Sequence, residues 1–340
     1  MKTVADVLDA LDAITGGRVI KTISDVTTGN QPFVIMKSSG IPGKEVLEMP
    51  GVVYGDLSKE VRKIAVTMTM TEGSIELAGA TGVDVIIAHH PIADASNSGG
   101  VELKNYLDLY RIAVFELHEA FHGLHPGLSY LHGHKAYRAE ITYGGVHGNI
   151  LFVGQALPEV RTLGDMLQRL RTFMGLQQEE DLLVTEREIR GSTSLTETSM
   201  ETLAKIVLGD ENSPVGHVLH IFPHTGFRSE HLRMAVEEHP EADTLLASIS
   251  RVYGDNELIS TARELGLNFI IGNCHALEIL ENGLPLAYAL NMLLPEIDIV
   301  VFRERITSSA LHEVGTPEIK TYAREMAANY LVHKATIGQE

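Results

Sequence analysis

The 340-residue chain is 44% hydrophobic, long enough for two domains of ordinary size, each with its own core. Its 45 acidic against 27 basic residues give a formal charge of -18, and no Lys/Arg cluster breaks that balance, which argues against a nucleic-acid partner. A single cysteine, Cys274, excludes an intramolecular disulfide and a cysteine-based zinc ribbon, so any metal must use imidazole and carboxylate.

Met1-Lys2-Thr3-Val4 lacks the apolar core of a signal peptide, and no run approaches the ~20 apolar residues of a membrane span. The expectation is a cytoplasmic protein without membrane contact. Val4, Val7, Leu8, Leu11 and Ile14 recur at helical spacing behind Thr3, with Asp6 as capping partner and Gly16-Gly17 as stop. From Ser24 to Gly55 the chain is rich in Gly, Pro, Ser and Thr and reads as loop and edge strand, with no functional signal.

Arg62 to Met68 reads as a strand and Glu72 to Ala80 as a helix. Next comes Val83-Asp84-Val85-Ile86-Ile87-Ala88-His89-His90-Pro91-Ile92, a buried strand that delivers two imidazoles at its carboxyl end. Neighbouring side chains on a strand point to opposite faces, so at a strand end the two can diverge towards two metals. The alternative is a pair of loop histidines on a solvated strand end. A helix from Glu102 to Tyr110 leads into the strand Ile112 to Leu117, which ends in His118-Glu119-Ala120-Phe121-His122.

The segment from Gly123 to Gly148 holds His125, His132, His134 and His147 among Gly, Pro and Tyr, and most of these read as solvated or locally hydrogen-bonded. Leu151 to Gly154 is a short strand, and Leu163, Met166, Leu167, Leu170, Phe173 and Met174 mark the core stripe of a helix behind Thr162. Gln177 to Ser213 reads as a partly exposed connection with helical pattern around Met200 to Val207. Val215 to Phe222 is a strand leading to Pro223-His224; helices follow at Ser229 to Glu238 and Asn256 to Leu265. Leu267 to Ile271 then runs as a strand into Gly272-Asn273-Cys274-His275-Ala276-Leu277-Glu278. A long apolar helix to Leu294, the strand Ile297 to Phe302 and a helix from Pro317 to His333 complete the chain.

In open α/β sheets, ligands sit beyond the carboxyl ends of strands. His89 with His90, His118 with His122, and His275 with Glu278 all fall at such ends, and together they predict two divalent ions of Zn, Fe, Mn or Ni type. Glu119 and His224 are candidate catalytic proton shuttles. His118 to His122 also matches the H-E-x-x-H pattern of zinc metallopeptidases, but that motif needs a sustained helix and here Gly123 and Pro126-Gly127 follow at once.

The order of these blocks resembles the NIF-three-like family, ring-forming dinuclear-metal proteins often labelled GTP cyclohydrolase 1 type 2 homologues. The resemblance rests on Ile86 to Ile92, the strand ending at His118, Phe152-Val153-Gly154-Gln155-Ala156-Leu157-Pro158 leading to Thr162, and Ala262 to Leu267 leading to His275. The chain is a divergent case. His122 stands where the family's H-T-x-x-D block has Asp, Glu278 follows His275 by three residues instead of four, the histidine expected a few residues after Gly254-Asp255 is missing, and the amino-terminal tryptophan motif is absent.

The resemblance implies two similar α/β lobes with mixed, largely parallel sheets, split as residues 1–150 and 151–340, with the metals between them. It also implies a homohexameric ring. The function expected is dinuclear metal binding with hydrolase chemistry on a small molecule, the alternative being a non-catalytic metal-binding, delivery or regulatory protein.

Overall fold

The structure, a computed structural model, describes residues 1–38, 45–91, 101–121, 123–140, 150–192, 197–198, 204–223, 226–248, 252, 254–272, 275–303 and 307–332. Contacts divide the chain into two units, Met1–Met174 with Leu203–Glu304, and Gly175–Thr202 with Arg305–Glu340. The first unit is a mixed α/β structure built on two large sheets.

In chain order the first sheet receives β1 (Gly51–Tyr54), β2 (Lys63–Thr67), β3 (Val85–Ala88) and β4 (Ala113–Glu116). The second receives β5 (His134–Glu140), β6 (Ile150–Ala156), β7 (Lys205–Leu208), β8 (His217–Ile221), β9 (Thr244–Ala247) and β10 (Asn268–Ile271). Finally β11 (Asp298–Val301) returns to the first sheet, whose order is β11-β2-β3-β4-β1. There β11, β2, β3 and β4 run parallel, and β1 is antiparallel to β4. The second sheet has order β7-β10-β9-β8-β6-β5, with only β8, β9 and β10 mutually parallel. Thus β5, which precedes residue 150, belongs to the second sheet, and β11, far beyond it, to the first.

Parallel strands need crossovers, and helices supply them: Glu72–Thr81 lies between β2 and β3, and Val101–Tyr110 between β3 and β4. The all-apolar β3 reads as a run because both its faces are covered. Val85 and Ile87 join a core with Val4, Leu11 and Leu290, while Ile86 and Ala88 join one with Ile75, Leu103 and Leu107. The amino-terminal helix Val4–Thr15 starts and stops where its sequence signals lie: Thr3 and Asp6 form a reciprocal capping box, and Gly16 closes the helix at φ 66°. Thr162 and Asp165 repeat the device at Leu163–Phe173.

Three local readings are corrected. The helical pattern around Met200 to Val207 meets a strand, since Ile206, Val207 and Leu208 lie in β7, paired antiparallel to β10. The supposed connection after Gln177 contains a 15-residue helix, Leu176–Arg190, flanked by Gly175 at φ 64° and Gly191 at φ 58°. Strands β5 and β9 had no recognised sequence signal. In the second unit that helix is accompanied by the ribbon of Glu197–Thr198 with Thr307–Ser308, and by the helix Pro317–Met326. No helix among the described residues is long and apolar enough to cross a membrane.

Close packing in the second sheet depends on Gly154 in β6. A Cβ there would lie 2.6 Å from the Lys135 carbonyl oxygen and 2.8 Å from both Ala136 Cα and His134 Cδ2. Gly154→Ala must push β5 and β6 apart, so denaturant titration should show a loss of about 1–3 kcal/mol, the usual range for overpacking. An unchanged midpoint would mean that the two strands separate more easily than this packing implies.

Candidate metal centre

The ladder of the first sheet continues past the ends of its strands. His89 and His90 donate their backbone N–H groups to the Thr67 and Met68 carbonyls, and His118 donates to the His89 carbonyl at 2.7 Å. Three histidines are thereby fixed side by side beyond β3 and β4. Their rings meet edge to face or tilted, at centroid separations of 5.4 Å for His89 with His90, 5.7 Å for His89 with His118 and 5.8 Å for His90 with His118.

The carboxylate comes from the other sheet. After β10 a single helical turn, His275–Glu278, sends Glu278 into the interior, where it is 0% exposed. Its Oε1 lies 3.3 Å from His89 Nε2 and its Oε2 lies 3.1 Å from His90 Nε2. Thr69 Oγ1 is 2.9 Å from His90 Nδ1 and turns the opposite edge of that ring towards the carboxylate. Asn282 donates to Glu278 Oε1 at 3.2 Å from within a π-helical turn, Ile279–Gly283, a distortion often found at functional sites.

Burial would raise the Glu278 carboxyl pKa, but hydrogen bonds from His89 and His90, and their charge, outweigh it and hold the group well below its usual range. One ligand atom from each of His89, His90 and Glu278 falls within 4.8 Å of the others, a set that can hold a metal ion. Buried imidazole nitrogens converging on a carboxylate suit a divalent transition metal better than calcium or magnesium.

Of the other expected ligands, His118 stands beside this trio with Nδ1 2.9 Å from Glu48 Oε2. His275 opens the same helical turn as Glu278, but its side chain lies outside the described residues, as does that of Glu119. His122, His224 and Cys274 also lie outside them. The helix that the H-E-x-x-H reading requires runs from His118 to Phe121 among the described residues.

Sequence reasoning missed Glu48, which lies in the stretch from Ser24 to Gly55 that carried no functional signal; it ends the strand Glu45–Glu48 and is buried. Asn282 was hidden inside an apolar helical run.

A second histidine group lies in the other sheet. His132, His134 and His220 are all 0% exposed, with His220 ring centroids 5.4 Å from His132 and 5.7 Å from His134. His220 sits between Ser129 Oγ at 3.0 Å and Ser248 Oγ at 2.5 Å, and His132 Nδ1 donates to the Leu128 carbonyl. Among the described residues, His132 Nε2 and both ring nitrogens of His134 have no hydrogen-bond partner. The reading of this segment as solvated therefore fails for His132 and His134, while His125, which accepts from Gly127 N–H, and His132 do have local hydrogen bonds. His147 lies outside the described residues.

The first unit thus combines a mixed α/β fold with a His-His-Glu cluster at strand ends. The sequence model of a known family, Duf34/NIF3 (NGG1p interacting factor 3), matches residues 39–105, a stretch that includes Glu48, β1 to β3 and the His89-His90 pair. Over those residues the chain resembles the NIF3 family. Among solved structures it is similar to reduced HcgD from Methanocaldococcus jannaschii, at 18% identity and TM-score 0.50, with 74% of this chain and 88% of that one covered. Protein SA1388 of Staphylococcus aureus is similar at 15% identity and TM-score 0.54, covering 88% and 96%. A Bacillus cereus protein related to NIF3 follows at 12% identity and TM-score 0.55, covering 89% and 97%. At these identities the likeness is one of fold. No curated protein matches the sequence.

Proposed function

We propose that this chain is a dinuclear divalent-metal-binding protein with the chemistry of a metal-dependent hydrolase acting on a small molecule. The observation that carries the reading is the placement of Glu278, whose two oxygens face two different imidazoles, at 3.3 Å for His89 and 3.1 Å for His90. Together with His89 and His90, Glu278 would hold divalent metal, and its second oxygen would leave it able to serve a further ion. A pair of divalent ions would supply a water of lowered pKa and polarise a carbonyl or phosphoryl oxygen.

The chain's own residues do the rest. Glu278 and His89 seal the inner side, with 1% side-chain exposure each, while the partly open His90 and His118, at 11% and 12%, leave the approach for a small substrate. Glu119 and His224 remain the proposed proton shuttles. The near-complete burial of His89 and Glu278 also favours a second reading, retention and delivery of metal without turnover, because a ligand set closed to water on one side releases ions slowly. A hexamer, by family resemblance, and a cytoplasmic location, from the sequence, are part of the same proposal.

Metal-replete protein purified without a tag should contain about two divalent ions per chain by elemental analysis; one ion or fewer would overturn the dinuclear reading. His89→Ala and His90→Ala should each empty mainly one position, so each variant is expected to retain about one ion. Two ions retained in either variant would remove that histidine from the ligand set.

A further inference from the structure

We infer that Asn282 is a positioning residue of the metal centre, whose side-chain amide holds the Glu278 carboxylate towards His89 and His90 before any ion arrives. This rests on the metal-binding reading. A glutamate side chain turns about several torsions, and a carboxylate swung away on one of them presents neither oxygen to the imidazoles. The contacts at 3.3 Å to His89 and 3.1 Å to His90 come from residues beyond β3, far away in sequence. The Asn282 contact is local. Its Nδ2 donates to Glu278 Oε1 at 3.2 Å from four residues further along the same segment. Asn282 is 5% exposed and Glu278 0%, so water hardly competes for that bond.

The backbone fixes the place of Asn282. His275–Glu278, the π-helical turn Ile279–Gly283 and the helix Leu284–Leu293 follow one another without a break. Pro285, in the first turn of the last helix, has no N–H to donate, and its ring excludes a carbonyl four residues back, so the α-helical ladder cannot run through residue 281. A wider step takes its place, in which Leu284 N–H reaches the Ile279 carbonyl. Asn282 and Glu278, four residues apart, share one face of this turn. The turn packs against β2 and against the helix Gly127–Leu131, so two elements keep the amide beside the carboxylate.

The chemistry of the amide fits this task. A lysine or arginine in its place would pair with Glu278 as a cation and compete with a metal for the negative charge. Asparagine donates a hydrogen bond while adding no charge, which leaves that of the carboxylate for the ion. Outer partners of this kind orient metal-binding side chains.

The test compares wild type, Asn282→Leu and Asn282→Gln by zinc competition titration, by urea midpoint and by crystal structures of the metal-free proteins. Leucine matches asparagine in shape and lacks the donor. The metal-free wild type should show both Glu278 oxygens towards the two imidazoles, and Asn282→Leu should show the carboxylate turned from them. Zinc affinity should fall by about 10–100-fold in Asn282→Leu, the range for lost outer partners, and recover in Asn282→Gln, which returns an amide to the site. A leucine variant that leaves Glu278 in place would overturn the inference, as would one that loses stability while keeping wild-type zinc affinity. So would a glutamine variant no better than leucine. Asn282→Ala reads the same quantities should the leucine variant fail to fold. Wild-type protein that binds no zinc, with Glu278 turned away only in Asn282→Leu, would sink the metal-binding reading and leave the placement of the carboxylate by Asn282 standing.

Discussion

Glu278→Gln is expected to lower the metal affinity of the His89, His90 and Glu278 cluster by roughly 100-fold or more, beyond the ~10–100-fold range of outer partners because a direct ligand is removed. The substitution preserves shape. Glutamine still offers an oxygen to the Asn282 amide, 3.2 Å from Oε1 in the native protein, and fills the same buried volume. It removes the negative charge that faces His89 and His90 from both carboxylate oxygens. Elemental analysis with far-UV circular dichroism as the folding control checks it. A folded Glu278→Gln protein with two ions would show that the centre does not depend on this carboxylate.

Acidification should destabilise the protein progressively from about pH 6.5 downwards, and His132 and His134 are a cause. Burial pushes the His132 imidazole down to about 4, against the opposing hydrogen bond to the Leu128 carbonyl. Burial and the neighbouring His132 push His134 down to about 3. His220 is shifted well down by burial and by the same two neighbours. Among these groups the folded state prefers the neutral form, while the unfolded chain takes up protons near the ordinary value of 6.5. Their stabilisation is therefore complete above pH 6.5 and falls as pH drops through the interval to about 4 for His132 and about 3 for His134.

One pH unit corresponds to about 1.4 kcal/mol, so His132 alone accounts for about 3 kcal/mol and His134 for about 5 kcal/mol once the interval is crossed. Those losses compare with a whole-domain stability of about 5–15 kcal/mol. Urea midpoints measured from pH 7 to pH 4 should fall steeply in the wild type. His134→Leu should flatten the curve, because among the described residues His134 has no hydrogen bond to lose and leucine carries no group to protonate. Glu278 titrates equally in both proteins and cancels. Parallel curves for the two proteins would mean that the histidine pocket is hydrated at neutral pH.

The sequence by itself determined the elements whose signals are local. Thr3 with Asp6, and Thr162 with Asp165, start their helices through short-range hydrogen bonds that need no tertiary partner. The apolar β3 run and the His89-His90 pair at its end were equally legible, because burial on both faces leaves an unbroken hydrophobic signature. The approach of Glu278 was anticipated from its position after a strand, since ligands gather at such ends.

Tertiary structure decided the rest. Lys205–Leu208 is a strand because β10 offers it an open edge, and Thr244–Ala247 is one because β8 and β10 flank it; pairing partners distant in sequence override weak local preference. The partnership of Glu48 with His118 joins residues 70 positions apart, so nothing near either one announces it. His132, His134 and His220 look like polar loop and strand residues in sequence. Only the packing of β5 and β8 within one sheet shows them enclosed together, where burial and mutual repulsion set their chemistry.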